Sequence, residues 1–228
     1  MRLFLASQDL GNYGEILRQM VGAKRPAFVV SNARDYYNDE ARIAGSVEEA
    51  IANLDEIGIE AERLDLRAYF GKQSELADLI EQKQIGLIFS IGGNVICLAT
   101  AIHASGLGEI IRQGIAEDKF VYGGYSAGSM VAGSDLSLYQ FDTKPGEEMP
   151  PHRIADVTYD IYNLAPYKQG LGLIPQYIVP HMNHTDHIDV IRERIAKIEQ
   201  AGAEAICLND PDVFVVNGDD MQVMRGQL

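Results

Sequence analysis

With 228 residues, 46% of them apolar and 23% charged, the chain is long enough for one domain with a full core, and no stretch reaches transmembrane length. Thirty-three acidic against nineteen basic residues give a formal charge of −14, which argues against a sizeable nucleic-acid footprint, because phosphate contacts need clustered Lys and Arg. Cys97 and Cys207 sit inside apolar stretches and read as reduced thiols, and the opening MRLFLASQDL is too short in apolar residues for a signal peptide, so a cytoplasmic protein is expected.

In chain order, short runs rich in Val, Ile, Leu and Phe alternate with helical patterns. Strands are expected at RLFLAS (2–7), PAFVVSN (26–32), IEAERLDL (59–66), GLIFSIGG (86–93), KFVYGGYS (119–126), QYIVPH (176–181) and EAICLND (204–210). Between them, residues 11–22, 46–57, 73–83, 94–117 and 184–201 carry apolar side chains at three- and four-residue spacing, as in Ile188, Ile191, Ile195 and Ile198. The tail DVFVVNGDDMQVMRGQL reads as two strands around a turn at Asn217 to Asp220, a hairpin on the sheet edge. This alternation predicts a single α/β domain over residues 1–228, its sheet doubly wound and mostly parallel, with the C-terminal β-hairpin at its edge. In such sheets the reacting groups gather at the carboxyl ends of the strands, where SIGGN, GGYSAG, VPH and CLND all fall, so four strand ends should converge on one crevice. Residues 134–175, with Pro145, Pro150, Pro151, Pro166 and Pro175, form an irregular connection that suits a lid, a specificity loop or an extra surface hairpin.

The string GGYSAGSMVAG (123–133) seats Ser126 in a G-x-S-x-G pentapeptide directly after an apolar run. That is the pattern of a nucleophile elbow, a sharp strand-to-helix turn that holds a serine hydroxyl proud of the fold. The helix opening at Ala127 presents free N–H groups able to stabilise an oxyanion. The turn GGN, at Gly92, Gly93 and Asn94, faces from another strand end; its paired glycines permit a second backbone N–H to point at the oxyanion, and Asn94 either caps a helix or touches substrate. Neither a G-x-G-x-x-G nor a Walker lysine follows, so a nucleotide loop is not indicated.

A serine nucleophile needs a base. Of His103, His152, His181, His184 and His187, only His181 follows a strand directly, with His184 the reserve. Asp210, closing EAICLND, suits the acid that orients it; Asp212 is the nearest competitor, and Asp135, Asp142, Asp156 and Asp160 require the long connection to fold inward. His181, His184 and His187 with Asp186 permit a metal site in principle, but consecutive ligands three apart at a strand-helix junction splay around the turn and no H-E-x-x-H string is present, so metal is the lesser reading. The order Ser126, His181, Asp210 differs from the Ser, acid, His order of α/β-hydrolases.

The strings SIGGN (90–94), GGYSAGSMVAG (123–133), LGLIPQYIVPH (171–181) and AICLNDPDVFVVNG (205–218) resemble the aspartyl dipeptidase (dipeptidase E) group of serine peptidases, relatives of the cyanophycinases. The resemblance implies a flavodoxin-like fold related to class I glutamine amidotransferases, no cofactor, and a Ser-His-acid triad. Matched by motif, it places the nucleophile on Ser126, the base on His181, the acid on Asp210, and the oxyanion donors on Gly93 and Ala127. Aspartate-specific members have an arginine in a T-R-E-x-R string after the histidine. Here the stretch reads HIDVIRERI, where Arg192 is a substrate-binding candidate but both it and Arg194 are displaced, an arrangement that suits solvent-facing side chains. A serine hydrolase of small peptides, monomeric or homodimeric, without nucleic-acid or membrane partners and without marked aspartyl preference, is the expectation. An amidase or esterase on the same fold, or a non-catalytic binding module, are the alternatives.

Overall fold

The computed structural model describes residues 1–22, 25–37, 39–139, 156–185 and 188–227. Its strands are β1 (Arg2–Ala6), β2 (Ala27–Val30), β3 (Ala61–Leu64), β4 (Leu87–Ser90), β5 (Val121–Tyr125), β6 (Tyr177–Val179), β7 (Ala205–Cys207), β8 (Val213–Asn217) and β9 (Asp220–Met224). Its α-helices are α1 (Gly14–Val21), α2 (Glu40–Glu56), α3 (Gln73–Gln82), α4 (Val95–Ser105), α5 (Leu107–Ala116), α6 (Ala127–Met130), α7 (Val157–Tyr162) and α8 (Ile188–Gln200).

Seven strands form one sheet in the order β3-β2-β4-β5-β1-β8-β9. The first five run parallel, and β8 and β9 add an antiparallel hairpin against β1. Side chains alternate across the pleat, so β1 sends Leu3 and Leu5 into one apolar layer and Phe4 and Ala6 into the other. Leu17, Val21, Ile43, Val47 and Leu54 of α1 and α2 cover the second face. Leu76, Ile80, Leu98, Ile102 and Ile111 of α3 to α5 cover the first. A sheet buried on both faces favours strands apolar at successive positions, which is why RLFLA, AFVV and LIFS read as near-continuous apolar runs.

The structure departs from the sequence-based expectation in four places. First, β6 and β7 pair with each other as a separate two-stranded parallel sheet and do not join the main one. Second, residues 94–117 form two helices, because Gly106 takes a left-handed φ of +75° that ends α4 and opens α5. Third, α2 starts at Glu40, six residues before the expected segment, where the Asp39 carboxylate caps the Arg42 N–H. Fourth, the irregular connection contains α7 and a 3-10 turn at Ser137–Tyr139. Residues 140–155 of that connection, with Asp142, Pro145, Pro150, Pro151 and His152, lie outside the described residues, and with them the expectation of a lid. Among the described residues no single helix is long and apolar enough to cross a membrane.

Candidate active site

Ser126 stands between β5 and α6 with φ +52° and ψ −115°, a backbone conformation that residues with a Cβ seldom adopt. The turn is held in place by its neighbours. The Ser126 N–H reaches the carbonyls of Ser7 (2.9 Å) and Ala6 (3.2 Å) at the end of β1. The Ser129 hydroxyl lies 2.7 Å from the Ala6 carbonyl and 2.9 Å from that of Gly124, and the Tyr122 hydroxyl donates to the Gly128 carbonyl at 2.8 Å. Helix α6 is thereby pinned over the main sheet, and the serine projects from the rim.

His181 follows β6, and Asp210 follows β7, so the small second sheet carries both. The structure brings these two and Ser126 together. The Ser126 hydroxyl lies 3.0 Å from His181 Nε2, and His181 Nδ1 lies 2.7 Å from Asp210 Oδ1. With Nδ1–H donating to the carboxylate, Nε2 is left as the acceptor for the serine proton. The Asp210 N–H donates to Asn183 Oδ1 at 2.8 Å, which fixes the acid's backbone to the histidine's own loop. Partial burial holds the His181 imidazole below the ordinary histidine range; the Asp210 hydrogen bond and charge oppose this, while His184 and Arg194 add to it.

The GGN turn sits against the nucleophile: a side chain at Gly92 would meet the Ser126 Cβ at 3.0 Å. Among the described residues neither the Gly93 N–H nor the Ala127 N–H is spent on another acceptor. A 3-10 turn, Asn32–Tyr37, grips this loop from outside. The Ala33 carbonyl accepts from the Asn94 N–H at 2.7 Å. Arg34 Nε donates to the Gly92 carbonyl at 3.0 Å, the far side of the same peptide unit that carries the Gly93 N–H, and Arg34 Nη1 donates to Ser46 Oγ at 2.9 Å. Beneath it, the buried Asp35 carboxylate accepts from Tyr162 (2.6 Å) and Asn32 (2.8 Å), and burial raises its carboxyl above the usual range. Asn94 is buried, and its side-chain oxygen caps α4 by accepting from the Ile96 and Cys97 N–H groups. Of its two expected roles, the helix cap is the one this oxygen performs.

A cavity of about 530 Å³ opens over Ser126 and His181, within the range of small-ligand pockets. Its lining includes Arg34, Tyr36, Tyr37, Glu49, Met130 and Arg194. Here the arginine expectation is corrected. Arg192 is exposed, beside Asp189 at 3.8 Å, and does not line the cavity. Arg194 does, with its guanidinium 5.4 Å from the Tyr139 ring centroid. The cause is helical phase, because Arg194 lies three residues after Ile191 and four before Ile198, the two buried residues of α8. That spacing was readable in the chain.

The remaining described candidates are not links in the Ser126–His181–Asp210 relay. Asp212 is buried and accepts from Arg225 (2.6 Å) and from the N–H groups of Asn209 and Gly226, so it holds the turn on which Asp210 sits. Asp135 accepts from Ser137 and from the Tyr177 hydroxyl. Asp160 is exposed, and Asp156 precedes α7 without capping it. His103 stacks on Tyr167, ring centroids 3.8 Å apart, away from this cavity. His184 lies 3.7 Å from Asp210 Oδ2 and meets the His181 ring edge-on. Asp186 and His187 lie outside the described residues; among the described ones no group of three or more His, Cys, Asp or Glu is arranged to hold a metal ion. Sequence reading missed Ser7, Gln8, Arg34 and Asn183, although Ser7 closes the expected strand 2–7 and Gln8 follows it directly, as the candidates stand at their strand ends.

A family model described as peptidase family S51 matches residues 15–224. No curated protein matches the chain. Among solved structures, a protein provisionally named peptidase E from Listeria monocytogenes EGD-e is similar, with 18% identity and a TM-score of 0.71 over 99% of this chain and 98% of its own. A peptidase from an acI-B1 Actinobacterium is similar at 19% identity and a TM-score of 0.67, over 98% of this chain and 87% of its own. These likenesses show a shared α/β fold, with a mostly parallel sheet flanked by helices.

Proposed function

The chain belongs to peptidase family S51 and is a serine hydrolase, and we propose that it cleaves short peptides as an exopeptidase or dipeptidase, through an acyl-enzyme formed on Ser126. The observation that carries this is the continuous relay from the Ser126 hydroxyl through His181 to Asp210, at 3.0 and 2.7 Å, beneath a cavity of peptide size. The Ser126 oxygen attacks the scissile carbonyl as His181 Nε2 takes its proton. His181 returns that proton to the leaving amine, and the same nitrogen then activates water against the acyl-enzyme. Asp210 keeps the imidazole in the right tautomer and steadies its charged form. The N–H groups of Gly93 and Ala127 receive the developing oxyanion.

Activity should therefore require neutral His181. Because its folded value lies below the ordinary one near ~6.5, the acid limb of kcat/KM is expected below that pH. For stability the sign is the same: the unfolded chain takes up the proton first, so this group favours the fold above the ordinary value, and the contribution is lost as pH falls through the folded one. A pH-rate profile checks the activity limb, and a limb above the ordinary value would count against His181 as the base.

Substrate chemistry follows from the lining. Arg34 and Arg194 with Asp9 and Glu49 give the cavity both signs of charge, suited to the ammonium and carboxylate of a short peptide, inside a protein whose net charge alone would repel an acidic one. Arg194 favours a substrate carboxylate on its side of Ser126, which argues for acidic peptides more strongly than the displaced sequence motif did. The test is fluorophosphonate labelling, read at Ser126 by mass spectrometry, followed by a panel of Asp-Xaa, Ala-Xaa and Lys-Xaa dipeptides. Arg194→Met is expected to lower kcat/KM for Asp-Xaa by about 10- to 100-fold, the worth of a charge-assisted hydrogen bond, while leaving labelling intact. Equal loss for Ala-Xaa, which shares the α-carboxylate but lacks the acidic side chain, would remove the assignment of Arg194 to the Asp side chain, and absence of labelling in the native protein would remove the serine mechanism.

A further inference from the structure

The reaction above gives no part to the carboxyl end of β1, yet Ser7 and Gln8 there touch the backbone or side chain of every member of the relay. Ser7 is fully buried. Its carbonyl accepts from the Ser126 N–H at 2.9 Å. Its hydroxyl oxygen accepts from the His181 N–H at 2.8 Å and donates to the Leu208 carbonyl, two residues before Asp210, at 3.4 Å. Its own N–H donates to the Asp212 carbonyl at 3.1 Å. The Gln8 amide, oriented by its hydrogen-bond network with nitrogen toward the carboxylate, donates to Asp210 Oδ2 at 2.9 Å and to Oδ1 at 3.2 Å.

We propose that Ser7 and Gln8 are positioning residues that set the register of the Ser126, His181 and Asp210 relay across two separate sheets, an inference that rests on the serine mechanism proposed above. The need arises from the topology. Ser126 rides on the main sheet, while His181 and Asp210 ride on β6 and β7, which share no strand pairing with it among the described residues. Without a ladder between the sheets, something else must hold nucleophile and base within the fraction of an ångström that proton transfer tolerates. β1 supplies it, since it pairs directly with β5 and its last side chains reach over to the second sheet. The Ser7 hydroxyl also satisfies the N–H of a histidine with φ +62°, a left-handed conformation that costs free energy unless its surroundings enforce it. Gln8 sets the rotation of the Asp210 carboxylate, so that Oδ1 faces the imidazole.

Two variants of the full-length protein test this. Gln8 is exposed, so Gln8→Glu keeps the fold while replacing a donor against Asp210 by a second negative charge. The groups facing His181 are otherwise Asp210, His184 and Arg194, and the added charge should raise the His181 titration, read by NMR, and the acid limb of kcat/KM by ~0.5–1 pH unit. Ser7→Ala leaves the His181 N–H without its acceptor. Its fluorophosphonate labelling rate and kcat should fall by roughly 10- to 100-fold, with KM nearly unchanged and circular dichroism intact. If wild type labels at Ser126 but Gln8→Glu titrates like wild type and folded Ser7→Ala labels at the native rate, the positioning role is overturned and the serine mechanism stands. If wild type does not label at all, the mechanism falls and takes this inference with it.

Discussion

Alanine at position 126 is expected to lower kcat/KM by at least about 10⁴-fold and to abolish fluorophosphonate labelling, with no loss of thermal stability. The argument is local. The Ser126 side chain makes no capping hydrogen bond to α6, and the bond found for its hydroxyl is the one to His181, so the fold draws little from it. The turn itself is held by the backbone and by Ser129 and Tyr122, none of which the substitution touches. What remains without the hydroxyl is an oxyanion site and a base with no nucleophile to activate, which keeps only a residual ~10³–10⁴-fold over water. Ser126→Gly sharpens the point. At φ +52° and ψ −115° glycine is unstrained and serine is not, so the glycine variant should be equally inactive yet more stable by up to ~1 kcal/mol. Differential scanning calorimetry beside a labelling assay reads both quantities, and a fully active Ser126→Ala enzyme would end the assignment.

The second large effect is on stability. A Cβ placed at Gly128 would lie 2.0 Å from the Ser90 carbonyl oxygen and 2.7 Å from its carbon, both backbone atoms of the adjacent strand β4. Neither can rotate away, so Gly128→Ala must lift α6 from the sheet. Overpacking against rigid backbone places the cost at ~3 kcal/mol or more, a fall in Tm of roughly 6–12 °C for a chain of this size. The elbow should be displaced with it, and labelling of Ser126 lost even at temperatures where the variant is folded. Gly45→Ala is the control, because Gly45 sits in α2 with no atom near its missing Cβ, and alanine there should be neutral or mildly stabilising. Equal Tm values for the two variants would contradict the packing account.

Gly128 also shows what packing the elbow motif requires. In the sequence, Gly124 and Gly128 flank Ser126 in a sharp strand-to-helix turn. In the structure Gly124 and Gly128 face Ser90 and each other, and their role is to let helix, strand and neighbouring strand close on one another beneath the nucleophile. The motif is contiguous, so it was visible; the contact across the sheet is not.

What the sequence determined by itself was the content of each element and the local chemistry at its ends. Near-continuous apolar runs marked strands buried on both faces, the 3.6-residue period marked the helices, and the elbow, the GGN turn, His181 and Asp210 all stood at strand ends. What only the tertiary structure decided was which of several equivalent groups face one another. Asp210 and Asp212 are two residues apart and indistinguishable by type, and the fold turns Asp212 inward to Arg225 and leaves Asp210 to His181. β6 and β7 looked like further strands of one sheet, yet they pair alone, which makes the contacts of Ser7 and Gln8 across to them consequential. The physical reason is one of range. Hydrophobic periodicity and turn chemistry act over a few residues and are written along the chain, whereas the partner of a side chain is set by how separate elements pack, at sequence separations such as the 174 residues between Ser7 and His181.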